Sequence, residues 1–313
     1  MKVNSITEKS TDPIVSVVIP TYNRHQQTQR SVNSVTQQSY TNLELIVVDD
    51  GSDQPIEETL TVPEEVFTRY CVVRHEENLG ANAARNTGVK LACGDYISFL
   101  DSDDEFQKDY IESVINAFEK SCSDCAGVYT SYEKVFHDGS KEVSEVIDGK
   151  TQLGDLKVRN EIGSFSCVTI KHDILTEVGL LDEELPSKQD YDFYLRVLKN
   201  GYYFHGLNEP KVNHYVHDDR ISTNTKAKEL GSAMLFEKHS DVLNQRWISN
   251  SLLNRGFINA NQGNIHASRQ LFWTSLKYDP KNIKAYVFLL LSIFGRQTFK
   301  IATYLSHKFR QRR

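Results

Sequence analysis

The sequence predicts an α/β fold, a mixed and mainly parallel sheet flanked by helices, with a helical C-terminal region. Three observations carry this reading. Four short β-branched or aromatic runs stand in the first hundred residues, each nearly continuous in apolar residues, as strands buried on both faces are. Stretches long enough for crossover helices separate them. After Ser222 the strand signals stop and helical patterning takes over.

The first run, Ile14–Ile19, is stopped by Pro20, and a helix over Gln26–Gln38 follows. The second, Leu43–Val48, ends at Asp49-Asp50-Gly51, and Pro55–Leu60 supplies a short helical segment. Tyr70–Arg74 is the third strand, Ala81–Ala92 the next helix, and Tyr96–Leu100 the fourth strand, ending at Asp101. A helix over Phe106–Lys120 comes next. From Ala126 the pattern changes: Val128–Phe136 and Glu142–Ile147 flank His137-Asp-Gly-Ser140, a hairpin signature. Phe165–Ile170 reads as a strand, and Asp173–Val178 and Lys188–Asn200 as helices stopped by Gly179 and Gly201. Gly263 to Ala285 resembles one unit of a helical-hairpin repeat, and a solenoid needs about three. The organisation expected is a tail at 1–13, a catalytic-type domain at 14–222 and a helical region at 223–313.

The chain has 313 residues, 25% charged and 39% hydrophobic, enough for a folded protein with a sizeable core. With 36 Lys+Arg against 42 Asp+Glu its net charge is −6, which argues against nucleic acid as a partner. The charge is uneven. Eight Lys/Arg and no acid follow Asp279, which points to an anionic surface as partner. The N-terminal residues show no leader pattern, and the five cysteines form an odd set, as in a reducing cytoplasm. Cys122-x-x-Cys125 has no second pair to complete a zinc site and reads as two thiols near a helix end. The longest apolar stretch, Tyr286–Phe294, is nine residues broken by Ser292. It calls for burial but is far short of the roughly 20 residues of a spanning helix.

In parallel sheets, ligands bind beyond the carboxyl ends of the strands, so the polar residues there are the candidates for chemistry. Asp101-Ser102-Asp103-Asp104 follows the fourth strand. Carboxylates so placed suit a hard divalent cation that keeps positions open for phosphate oxygens, although Asp also favours helix starts. Pro20-Thr-Tyr-Asn23 and Val47-Val-Asp-Asp-Gly-Ser52 lie at the same edge, and Asn78-Leu-Gly-Ala-Asn-Ala-Ala-Arg-Asn86 opens the helix after the third strand.

These four blocks, in this order and spacing, resemble the nucleotide-sugar-binding half of family 2 glycosyltransferases of the GT-A fold, over about residues 14–222. The resemblance implies that Thr21 and Tyr22 line a nucleoside pocket. Asp50 would accept the imide N–H of a uracil-type base, chemistry open to a carboxylate, while Asp49 caps the turn. Arg85 would face the ribose or diphosphate. In the Asp-x-Asp motif, Asp101 would sit by the ribose with Ser102 beside the donor, and Asp103 would bind Mn²⁺ or Mg²⁺. Ser187-Lys-Gln-Asp190 resembles the family's Glu-Asp motif, with Asp190 as the base that deprotonates the acceptor hydroxyl. Gln189 departs from the pattern. It removes a neighbouring negative charge, and a helix N-terminus also favours the anion, so both keep Asp190 ionised. Ser187 and Asp190 also approximate a capping box. His217-Asp-Asp-Arg220-Ile-Ser222 resembles the family's closing loop, His217 completing a metal shell and Arg220 or Ser222 touching the diphosphate. Gly163-Ser164 matches a segment near the transferred sugar.

The implied activity is inverting transfer of a sugar from a UDP-sugar, or a dTDP-sugar, to a saccharide or lipid-linked acceptor in polysaccharide or glycoconjugate assembly. The implied setting is cytoplasmic, with the basic end peripheral at the inner face of the membrane. A sugar nucleotidyltransferase is the rival enzyme, but it wants a glycine-rich phosphate loop where this chain has Pro20-Thr-Tyr-Asn-Arg24. The non-enzymatic rival is a nucleotide-sugar-binding module without chemistry, and the presence of both Asp103 and Asp190 counts against it.

Overall fold

The structure, a computed structural model, describes residues 12–216, 225–295 and 299. The chain divides into two compact units. The first holds a ten-stranded sheet and five helices. The second holds four helices and the short stretches 153–160 and 185–188.

In the first unit, β1 (Val15–Thr21), β2 (Leu43–Asp49), β3 (Arg69–Arg74) and β4 (Tyr96–Phe99) lie in the order β3-β2-β1-β4, all parallel. Every residue of β1 and β2 is buried, as the continuous apolar runs require. Helices α1 (His25–Thr36) and α2 (Ala81–Leu91) make the crossovers, whereas Pro55–Leu60 gives only a 3₁₀ turn at Ile56–Glu58. Beyond β4 the sheet continues through β9 (Val168–Lys171), β6 (Cys125–Val135), β10 (Tyr203–Tyr215) and β5 (Asp104–Phe106). β9 runs antiparallel to both neighbours and β5 antiparallel to β10. β7 (Lys141–Ser144) closes the expected hairpin on β6, and β8 (Gly149–Thr151) pairs with β10.

Three expectations need correction here. The helix expected from Phe106 begins at Tyr110 (α3, Tyr110–Glu119), because Asp104–Phe106 is drawn into the sheet against His214 to Val212. Phe165–Cys167 forms a 3₁₀ turn before β9 starts at Val168. The long β10 was not expected at all. Gly206 and Asn208-Glu-Pro210 interrupt its pattern, and its register on β6 shifts between Leu207 and Pro210, so two-residue alternation is lost where a reader looks for it. Helices α4 (His172–Glu177) and α5 (Gln189–Lys199) stop as expected at Gly179 and Gly201, both at φ +90°.

Gly88 shows how closely α2 lies on the sheet. A Cβ built there would stand 2.3 Å from a Val18 methyl on β1. Gly88→Ala recovers up to about 1 kcal/mol of helix propensity but overpacks a fully buried contact, which costs about 1–3 kcal/mol. We expect a net loss of stability, read as a lower thermal unfolding midpoint; an unchanged or raised midpoint would show that Val18 yields freely.

The second unit comprises α6 (Thr225–His239), α7 (Gln245–Gln262), α8 (Ile265–Tyr278) and α9 (Ile283–Ile293). Leu253, Ala260, Phe272, Leu276, Ala285 and Phe299 form its core, with Phe257 and Phe288 packed against them. Asn244 caps α7 by accepting the Trp247 N–H at 3.1 Å. Gly256 lets Phe272 lie against the α7 backbone, where a Cβ would be 2.5 Å from the ring.

Candidate active site

The loops at the carboxyl ends of β1, β2 and β4 and the start of α2 are fastened to one another by side chains. Asn23, at φ +52°, donates its backbone N–H to Ser52 Oγ at 2.9 Å, and its side chain exchanges hydrogen bonds with Asp53. Asp49 accepts the N–H groups of Ser52 at 2.9 Å and Ile56 at 3.1 Å, the turn-capping role expected of it. Gly51 sits at φ +77°, where a Cβ would meet the Glu77 backbone at 2.6 Å, so the turn admits no side chain.

Asp50 is buried. Its Oδ1 accepts from the Leu79 N–H at 2.9 Å and contacts His75 Nδ1 at 2.8 Å, and its Oδ2 accepts from the Gly80 N–H at 2.8 Å. A carboxylate offers about four acceptor sites, so one on Oδ2 is left for a further donor. Thr21 is buried and its hydroxyl contacts that of Thr28 at 2.6 Å, while Tyr22 stands 43% exposed at the rim.

The acidic run after β4 is distributed among different partners. Arg85 of α2 donates to Asp101 Oδ1 and to Asn82, and its guanidinium lies 5.0 Å from the Phe165 ring centre. Its buried Nε makes no hydrogen bond among the described residues. Ser102, next to Asp101 in sequence, is buried. Asp103 pairs with Arg24 at 3.0 Å, and Arg30 donates to the Asp103 carbonyl at 2.9 Å. Asp104, fully buried, accepts from Ser166 Oγ at 2.8 Å and faces His214 Nδ1 at 3.1 Å. Ser166 Oγ also accepts the Asp101 N–H at 3.1 Å, tying the first and last acids of the run to one hydroxyl.

Asp190 is half-buried in the first turn of α5, with Oδ1 accepting the Tyr191 N–H at 2.8 Å. The residue before the helix is followed back to Lys188, which holds φ +65°, a conformation that costs a non-glycine residue free energy and recurs at functional sites. Ser187 Oγ donates to the Ala227 carbonyl. Asp192, two residues on, has a different task. It is fully buried and pairs with Arg196 at 3.0 Å, while Arg196 donates to the carbonyls of Val178, Gly179 and Leu180.

Cys167 brings these groups to one place. Burial pushes its thiol well above the ordinary value, and the carboxylates of Asp104, Asp101 and Asp190 add to the shift. Burial and the Asp190 charge likewise raise the Tyr194 hydroxyl, which makes no hydrogen bond among the described residues. The carboxylates of the run after β4 and of α5, 86 or more residues apart in sequence, therefore act on one buried floor of Cys167, Phe165 and Tyr194.

Asp101 and Asp103 present hard oxygen donors, and Mg²⁺-type sites commonly take one or two carboxylates with phosphate oxygens completing the shell. The donor chemistry fits such an ion. In this structure each carboxylate is matched by a guanidinium, and among the described residues no three His, Cys, Asp or Glu side chains form a ready cage. His217, Arg220 and Ser222 lie outside the described residues. Gly163 takes φ +105°, and Ser164 opens the turn carrying Phe165. Cys122 is exposed and Cys125 buried, both free thiols. Sequence reasoning assigned no role to Arg24, His75, Ser166 or His214. Arg24 lies inside a block already singled out, whereas His214 and Ser166 reach the acids only through sheet pairing.

Comparison with known proteins matches residues 16–179 to the family model "Glycosyl transferase family 2". A putative teichuronic acid biosynthesis glycosyltransferase, TuaG, of Bacillus subtilis is 32% identical over 68% of this chain and 82% of its own length. Chondroitin synthase of Escherichia coli is 32% identical over 78% of this chain, which spans 34% of that larger protein. Among solved structures, S. aureus TarS 1-349 in complex with UDP superposes with a TM-score of 0.59 at 20% identity, over 96% of this chain and 92% of that one. Its UDP-GlcNAc complex gives 0.57 at 18%, over 95% and 91%. That likeness shows the fold, the GT-A-type sheet with helical C-terminal region that the sequence predicts. The family match covers more than half of the chain, and with the TuaG relationship it establishes that this protein belongs to glycosyl transferase family 2.

Proposed function

We propose that this glycosyltransferase moves a sugar from a UDP-sugar to a hydroxyl of a saccharide or lipid-linked acceptor, with inversion, in polysaccharide assembly. The observation that carries the reading is that Asp101, Asp104 and Asp190, from distant stretches of the chain, all act on the thiol of the buried Cys167, as donor-side and base carboxylates of one site would. Relatives named for teichuronic acid and chondroitin synthesis, and the UDP and UDP-GlcNAc complexes of TarS, support the substrate class.

In this reading the open acceptor site of Asp50 takes the uracil imide N–H, with Thr21 and Tyr22 flanking the base. Asp101 and Ser102 orient the ribose side, and Arg85 meets the ribose or diphosphate. Asp190 removes the proton from the acceptor hydroxyl as that oxygen attacks the anomeric carbon and the bond to the diphosphate breaks. A general base so placed contributes about 10²–10⁴-fold. Mn²⁺ or Mg²⁺ held by Asp103, with His217, would neutralise charge on the departing diphosphate. Arg220 and Ser222 are the further diphosphate contacts, and the basic stretch 295–313 holds the protein at an anionic membrane face.

Incubation with a panel of UDP-sugars and Mn²⁺ tests the reading. Release of UDP that chelation abolishes is the expected result. Pyrophosphate-dependent turnover would favour a nucleotidyltransferase, and donor binding without any turnover a binding module; either outcome overturns the proposal.

A further inference from the structure

Helix α9 is built inside out for a helix in water. Its inward side places Ala285 and Ser292, both fully buried, toward the core of the second unit, with Phe288 and Leu289 half-buried. Its outward side presents Ile283 (76% exposed), Tyr286, Val287, Leu290, Ile293 and, just past the last turn, Phe294 (66%). At 100° per residue these six fall within about 120° of the helix circumference and no polar residue interrupts them. Lys284 lies about 60° beyond one edge of that arc, and Lys277 and Lys281 are exposed at the end of the preceding helix and on the turn before α9. The burial expected for Tyr286–Phe294 is thus met only in part, by Phe288, Leu289, Leu291 and Ser292.

We propose that the outward face of α9 is a docking surface for an anionic lipid bilayer, entered in plane at the headgroup boundary. Charge selects this occupant. Lys281 and Lys284 stand at the N-terminal end of the stripe, the first two of eight basic residues that follow Asp279 with no acid among them. An apolar face bordered by cations is the pattern of an interfacial helix, and each cation near anionic lipid adds about 1 kcal/mol. Spanning is ruled out by length: eleven residues rise about 16 Å, half of a hydrocarbon core of about 30 Å, and no helix among the described residues is long and apolar enough to cross. The inference extends the membrane role given above to the basic stretch, but it rests on a separate element with its own test.

Flotation of the full chain with phosphatidylglycerol/phosphatidylcholine vesicles decides it. Wild type is expected to float with these vesicles, less so at high salt. The variant V287E/L290E, altered only at exposed positions, should partition about tenfold or more weakly with its thermal midpoint and UDP-sugar turnover unchanged. A second variant, K308Q/R310Q/R312Q/R313Q, separates the two membrane readings. Loss of binding in this variant with full binding by V287E/L290E would overturn the α9 proposal and leave the basic stretch as the anchor. No flotation of wild type would overturn both. A wild-type dimer that V287E/L290E converts to monomer, with flotation unaffected, would assign the stripe to a second copy instead.

Discussion

Asp190→Asn is expected to lower the turnover number by about 10²–10⁴-fold while donor affinity stays close to wild type. Asparagine keeps the shape of the side chain and an acceptor for the Tyr191 N–H, but it cannot take a proton. A residue acting only in the transition state lowers kcat and leaves ground-state binding in place. Asp192→Asn is the informative partner. Asp192 is fully buried against Arg196, which in turn holds three carbonyls of the Val178–Leu180 segment. Removing one partner of a buried pair costs about 3–5 kcal/mol, so this variant should unfold at a lower temperature yet turn over normally while folded. Steady-state kinetics together with thermal unfolding separates the two. An inactive Asp192→Asn with an active Asp190→Asn would reverse the assignment.

Asp103→Asn should abolish most metal-dependent turnover. If the ion supplies about 4 kcal/mol to the departing diphosphate, the loss is about 10³-fold. Some stability should be lost as well, because Asp103 is buried and pairs with the partly exposed Arg24, and removing one partner leaves the other charge uncompensated; rates are therefore compared on protein shown to be folded. The measurement is UDP release across a Mn²⁺ titration. Wild-type rates in the mutant at ordinary Mn²⁺ would remove Asp103 from the metal.

The sheet was legible because β1 and β2 are buried on both faces, so apolar runs such as Val17–Ile19 and Leu45–Val48 carry no competing pattern, while the half-buried edge strand β3 still keeps its Tyr-Cys-Val-Val run. The turn-capping role of Asp49 was legible because a carboxylate just after a strand caps the turn that follows, whereas the role given to Asp50 came from the family resemblance alone. The second half was harder. β10 contains a proline and three register shifts, and β5 consists of residues whose local preference is for a helix start. His214 meets Asp104 only because those two strands pair, a relation over 110 residues that no local pattern encodes. α9 marks the opposite limit. Composition calls for burial, and only the helix phase, set by packing of Ala285 and Ser292, reveals which residues are left facing outward.

The hydrogen bonds joining Asn23 to Ser52 and Asp53 bear on how this enzyme can be re-engineered. Donor preference is commonly altered by grafting one loop at a time, which presumes that loops are independent parts. Here residues 21–24 and 49–53 are joined by three hydrogen bonds linking Asn23 to Ser52 and Asp53, and the positive φ of Asn23 is held by that exchange. They form one cassette. A chimaera must transplant both segments together, and a library diversified in only one of them samples mostly broken pockets.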